Sequence, residues 1–216
     1  TALGYWERSN SIYEELGDRQ GMGSVLGNMG NAYYRKGDYD MSLDYIKKGL
    51  AIDEEIDNKK GIAHYIGNIA LIHYAKGDLD KALNYFERSL ALSEEMGDKG
   101  MMIYNFTQIG LVHYFKKTDF ELAAKYMEKS QAIIDEIGTN EEDMIYTKVF
   151  LYLTYKQLSK TYDVQEIFEL LKNNQNINFP LNYGLYELLE DNSYLETAYN
   201  QVQKIADTME IELKSK

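Results

Sequence analysis

The sequence predicts an all-α chain, a right-handed superhelical solenoid of antiparallel helix pairs with about 10–11 helices. Three observations carry this. Shifted by 40 residues, the sequence matches itself: LGNMGNAYYRKGDYDMSLDYI at 26–46, IGNIALIHYAKGDLDKALNYF at 66–86, and FTQIGLVHYFKKTDFELAAKYM at 106–127 with one residue inserted before Thr118. A fixed period of this size is the signature of stacked supersecondary units. Apolar residues recur at helical spacing within each half of the unit. And 216 residues contain a single proline, Pro180, so almost nothing breaks a helix interior.

Each unit divides into a helix A and a helix B. Helix A carries Leu26, Met29 and Tyr33, then Ile66, Ile69 and His73, then Phe106, Ile109 and His113. Helix B carries Leu43, Ile46 and Leu50, then Leu83, Phe86 and Leu90. Gly37 and Gly77 are placed to end helix A in the left-handed conformation. Asp38, Asp78 and Asp119 follow as N-caps for helix B. Gly17, Gly97 and Gly138 close the B helices. Small residues mark the close approach of the pair: Gly30, Ala70 and Gly110 on helix A, and Ser42, Ala82 and Ala123 on helix B.

These residues resemble the tetratricopeptide repeat family, whose pattern has a small residue at position eight of helix A, an aromatic three later and an alanine at position twenty, in helix B. Gly30, Ala70 and Gly110 match the first position, Tyr33, His73 and His113 the second, and Ser42, Ala82 and Ala123 the third. The period near 40 exceeds the family's usual ~34, as in its longer-helix members. The resemblance covers residues 1–138, as a half-repeat at 1–17 and full repeats at about 21–57, 61–98 and 101–138. Residues 139–176 read as a degenerate fourth pair. Residues 177–216 read as capping helices, with Pro180 in the first turn of a short helix and Asn192 or Ser193 capping a long one. The half-repeat at 1–17 lacks a helix A, which implies a partner helix upstream. The tail also resembles those of arrays fused to bacterial signalling domains such as nucleotide cyclases.

Composition excludes much chemistry. There is no cysteine, hence no disulfide, thiolate metal site or thiol nucleophile. The net charge of −12 speaks against nucleic acid and anionic membranes and favours a basic or neutral partner. No apolar run has the length of a membrane span and no signal peptide opens the sequence, so the expected compartment is cytoplasmic. The three histidines do not make a metal pair: His64 and His73 project about 180° apart on one helix, and His73 and His113 hold a packing position. The acidic pairs Glu14/Glu15, Glu54/Glu55, Glu94/Glu95 and Asp135/Glu136 recur with the repeat and read as a solvated face. Gly21, Gly23 and Gly27 lack the βαβ context of a dinucleotide loop. No enzyme, no cofactor and no metal are expected.

The positive signal is an amide. Asn28 and Asn68 are equivalent, with Gln108 at the same site in the third repeat. A carboxamide offers an acceptor and two donors, enough to pair with a peptide backbone. In related peptide-binding arrays, asparagines at this site of the concave groove do so, and the resemblance carries that role to Asn28 and Asn68. Asn31, Tyr34, His64, Tyr74, Tyr104, Thr107 and Tyr114 are expected to line the same groove. The lysine and arginine clamp of chaperone-binding members is missing, since the relevant position holds Gly27, Gly67 and Thr107. The expected function is a module that holds a peptide or helical segment of a partner protein. The alternatives are a regulatory array of a larger signalling protein and a structural spacer.

Overall fold

The computed structural model describes residues 2–117, 119–138, 141–172 and 178–214; Thr118, the site of the inserted residue, lies outside them, as do parts of the expected boundaries near 139 and 177. The described residues form eleven helices and no strand. They are α1 (Ala2–Leu16), α2 (Arg19–Arg35), α3 (Tyr39–Glu55), α4 (Lys59–Ala75), α5 (Leu79–Met96), α6 (Lys99–Lys116), α7 (Phe120–Ile137), α8 (Glu141–Gln157), α9 (Val164–Leu171), α10 (Phe179–Leu189) and α11 (Asn192–Lys214). The chain gathers into two compact units, Thr1–Asn105 and Phe106–Lys216, whose division falls inside α6.

In the first unit each helix packs on the next from α1 to α5. The joints are too short for anything but antiparallel neighbours. Asp18, Asn58 and Asp98 begin helices α2, α4 and α6 by accepting from the N–H of Gly21, Gly61 and Met101. Asp38 and Asp78 do the same for α3 and α5 through Met41 and Lys81. Gly37 and Gly77 take the left-handed conformation at φ 74° and 79°. At the joint after α3 no glycine is present, and Asp57 adopts φ 53° instead. An aspartate tolerates this region better than most side chains.

The pairs are drawn tight at their small residues. Ser42, buried on α3, donates its hydroxyl to the Gly30 carbonyl at 2.8 Å. A Cβ on Gly30 would lie 2.6 Å from the Ile46 side chain and 3.3 Å from the Ser42 carbonyl oxygen. Within each repeat the two helices are also joined by an ion pair on the outside, from the start of helix A to the end of helix B. Arg19 meets Glu55, and one repeat later Lys59 meets Glu95 at 2.7 Å. The recurring glutamates are therefore exposed, and two of them hold neighbouring helices in register.

The second unit builds its core around α8. Ile145, Val149, Leu153, Ile167, Leu181 and Leu185 are almost fully buried together with Met127 of α7. Helix α8 packs on α7, α9 and α10, and α10 on α11. Asp119 caps α7 through Leu122. Lys117 takes the left-handed position at φ 54° where earlier repeats use glycine. Pro180 sits in the first turn of α10, as expected. The cap of α11 differs from the expectation: the Asp191 carboxylate accepts from the Ser193 N–H at 2.9 Å, so the helix starts at Asn192 and its cap lies one residue earlier. Aspartate outcompetes the neutral neighbours there because its charge faces the helix dipole. No helix among the described residues is long and apolar enough to cross a membrane.

Alanine at Gly30 and at Gly110 separates packing from helix propensity. Each gains up to about 1 kcal/mol of helix preference. At Gly110 the new methyl meets Cγ of the buried Met127 side chain at 2.7 Å and the Ala123 carbonyl oxygen at 3.1 Å, so the α7 backbone has to give as well. At Gly30 it meets β-branched Ile46. Urea unfolding should find Gly30→Ala and Gly110→Ala both destabilised, by about 1–3 kcal/mol each; a neutral or stabilised variant would mean that its helix pair can part at no cost.

Candidate functional site

Helix α2 carries Ser24, Asn28 and Asn31 on one face, because residues four and three apart lie above one another. Helix α4 carries His64 and Asn68 in the same way. Between them, and over the end of α3, opens a cleft of about 490 Å³. Its walls include Ser24, Gly27, Asn28, Asn31, Asn58, His64 and Tyr65, and Asp53 of α3 and Met101 of α6 also line it. Three of the residues singled out from sequence, Asn28, Asn31 and His64, thus share one concavity. Asn28 and Asn31 are solvent-exposed.

Asn68 is placed differently. Its side-chain nitrogen is buried and has no hydrogen-bond partner among the described residues. A buried amide donor left unpaired costs about 1–3 kcal/mol, and most such groups in folded proteins are satisfied. Tyr34 and Tyr74 lie close together, both half-buried. Burial, and then the neighbouring Tyr34, push the Tyr74 hydroxyl up to about 12. Tyr104 is exposed and stands edge-on to Phe86 at 6.3 Å between ring centres.

The remaining groove residues lie in the second unit. Thr107 is only 5 % exposed, and its hydroxyl shares hydrogen bonds with Ser130 at 2.8 Å and Thr147 at 2.9 Å. This buried hydroxyl is occupied by the protein itself. Gln108 is half-buried. Tyr114 packs against Phe115, Phe120 and Phe150 and borders a second cleft of about 480 Å³ with Lys156, Tyr186 and Glu190.

The residues read as structural form a repeating stack. Tyr33 lies parallel to Tyr45 at 5.3 Å, His73 to Tyr85 at 5.5 Å, and His113 to Tyr126 at 6.0 Å. A cation covers the far tyrosine each time: Lys48 over Tyr45, Arg88 over Tyr85 and Lys129 over Tyr126. Each layer joins a ring of helix A to a ring of helix B and then to a cation three residues further along helix B, which faces the ring's negative quadrupole. Ala70, Ala82 and Ala123 are fully buried, and Gly110 meets the Ala123 carbonyl oxygen at 3.1 Å from a would-be Cβ. Sequence reasoning found the rings on helix A and missed their partners. The signal was the tyrosine at 45, 85 and 126, with a cation three residues after each.

Desolvation by neighbouring side chains sets the histidines, His73 half-buried and His64 more exposed. Packing holds the His64 imidazole below its ordinary pKa, with the nearby Asp53 carboxylate opposing this. Burial likewise lowers His73, partly offset by Asp78, whose carboxylate lies 3.9 Å away. Among the described residues no group of three histidines or carboxylates could hold a metal ion.

A tetratricopeptide repeat model matches residues 21–95 and 60–136 of the sequence. No curated protein matches it significantly. Solved structures share its fold at low identity. The apo form of RapI superposes with a TM-score of 0.71 at 11 % identity, covering 94 % of this chain and 84 % of that one. The Rap conjugation gene regulator of the plasmid pLS20, in complex with the Phr* peptide, gives 0.57 at 18 %, covering 97 % and 70 %. A putative kinesin light chain with TPR-like repeats from Podosopora anserina gives 0.58 at 14 %, covering 88 % of each chain.

The histidines make stability fall with acid. Both have lowered folded pKa values, so below about 6.5 the unfolded chain binds more protons than the folded one. Their contribution is whole above pH 7 and is lost as pH drops through that window. The urea midpoint should therefore fall between pH 7.5 and 5.5, and His73→Tyr, which copies Tyr33, should shrink the slope. An unchanged slope would remove His73 as a cause.

Proposed function

We propose that this chain, which belongs to the tetratricopeptide repeat family, is a non-catalytic interaction module that binds an extended peptide segment of a partner protein along the α2 and α4 faces of its first unit. One observation carries the reading: Asn28, Asn31 and His64 converge on an open cleft while Asn68, on the same face of α4 as His64, keeps a buried amide donor without a partner among the described residues. An extended backbone supplies acceptors and donors at regular intervals, and carboxamides answer both. A peptide carbonyl reaching Asn68 would satisfy a donor that the folded chain leaves open. Tyr34, Tyr74 and Tyr104 add aromatic area that orders at low entropy cost. That one structural neighbour was solved with a peptide agrees with this mode of use. Thr107 has no part in it, since its hydroxyl is engaged within the second unit.

The double variant Asn28→Ala/Asn68→Ala tests this. Removing the Asn68 amide deletes an unsatisfied group, so helicity and melting temperature should hold or rise slightly. Affinity for peptides selected on the parent protein should fall about 10- to 100-fold, as two lost hydrogen-bonding side chains imply. Unchanged affinity would reject the amide ladder, and the array would then be a spacer or bind elsewhere.

A further inference from the structure

The same cleft holds a charged group that the amide ladder does not use. Asp53, near the end of α3, is only 5 % exposed. Its Oδ1 accepts from the Asn58 side chain at 3.2 Å. Among the described residues, no lysine or arginine pairs with it. The cationic side chain lining the cleft, Lys60, is held by Asp98 at 3.0 Å. His64 is biased to its neutral form by packing. A carboxylate this deep without a counter-charge works against folding.

The repeat does not demand it. The position equivalent to Asp53 is Ser93 in the next repeat and Ile134 in the third, and the Ser93 hydroxyl donates to the Leu90 carbonyl and accepts from the Asn105 amide. The space around the carboxylate is also particular to this repeat. A Cβ at Gly61 would fall 1.7 Å from Oδ2, and one at Gly23 would fall 3.3 Å from Oδ1. One repeat later these two positions hold Met101 and Ala63. Two glycines thus make room for the carboxylate, one of which, Gly61, lines the cleft, and the surrounding Ser24, Asn28, Asn31 and Asn58 are polar and neutral.

We propose that this cleft is a cation subsite, in which the Asp53 carboxylate receives an ammonium or guanidinium group of the bound peptide. The inference rests on the peptide-binding reading above and specifies what that peptide carries. A buried carboxylate gains from a charged donor both a counter-ion and directed hydrogen bonds. Asn28 and Asn31 are then placed to hold the adjoining backbone, and Tyr65 and Met101 to flank an aliphatic stem. The cation has two sources, the amino terminus of the peptide or a lysine or arginine side chain.

An array of random seven-residue peptides, synthesised with free and with acetylated amino termini, is probed with the parent chain, Asp53→Asn and Asp53→Ser. Asparagine keeps the shape. Serine copies the natural occupant at position 93 and serves if the first variant folds poorly. The expected result is that the parent selects peptides with a cation at one fixed position, and that both variants lose roughly 30-fold or more in affinity for them while melting as high as the parent. If acetylation abolishes selection, the cation is the amino terminus. If only citrulline or norleucine replacement does so, it is the side chain. Two results overturn the inference while leaving peptide binding intact: selected peptides without a basic preference, or a basic preference that survives both substitutions. The latter would leave Asp53 only the task of positioning Asn58. Failure of the parent to select any peptide rejects the groove reading and the subsite with it.

Discussion

The first unit depends on how closely helix A can lie on helix B. The hydroxyl of Ser42 reaches the backbone carbonyl of Gly30 at 2.8 Å, and so near a contact leaves no room for a side chain on the other helix. That closeness brings Tyr33 flat against Tyr45. It also leaves the next face of α2, with Ser24, Asn28 and Asn31, turned away from its partner toward α4. Packing on one side of the helix thus determines what the other side can present.

Successive repeats keep the backbone plan and change what fills the space between helices. Tyr65 inserts where Gly49 leaves room, since a Cβ at Gly49 would stand 2.5 Å from its ring. One repeat on, the equivalent residues are Asn105 and Ser89, which bond to each other at 3.0 Å. At the following interval Ser130 joins Thr107 and Thr147 in a buried hydroxyl cluster. A large ring facing glycine, an amide facing a hydroxyl, and three hydroxyls together occupy comparable positions. The first leaves Gly27 and Gly61 lining an open cleft.

The elements were legible in the sequence because their determinants are local. Asp38 followed by helical spacing, or glycine before aspartate at 37 and 77, specifies a joint by rules that act over a few residues. Tyr33, His73 and His113 were recognisable as packing positions by their period alone. The cap of α11 was misplaced by one residue because Asp191, Asn192 and Ser193 are all competent caps, and only the Asp191 contact to the Ser193 N–H decides among them. Thr107 read as groove-lining because its equivalents are Gly27 and Gly67; its burial depends on Ser130 and Thr147, one far along α7 and the other on α8. Asp53 looked like one more acid among many at a helix end. Its depth is set by glycines 30 residues before and 8 after it, a relation no periodicity encodes.

That distinction bears on how a repeat protein acquires a specific site. Positions fixed by the period, such as the stacked rings and the small residues, cannot discriminate between repeats, because each copy has them. Discrimination has to come from departures. The departures in the first unit gather in one place: Asp53 where Ser93 would do, Gly61 where Met101 would fill, and Tyr65 against Gly49. Each alone is a tolerable substitution within a helical pair. Together they give this interval a polar cleft with a buried carboxylate in its lining, at a cost in stability. A fold whose stability is spread over many equivalent contacts can bear such a local loss, so the copy that departs furthest from its neighbours is the copy in which to look for recognition.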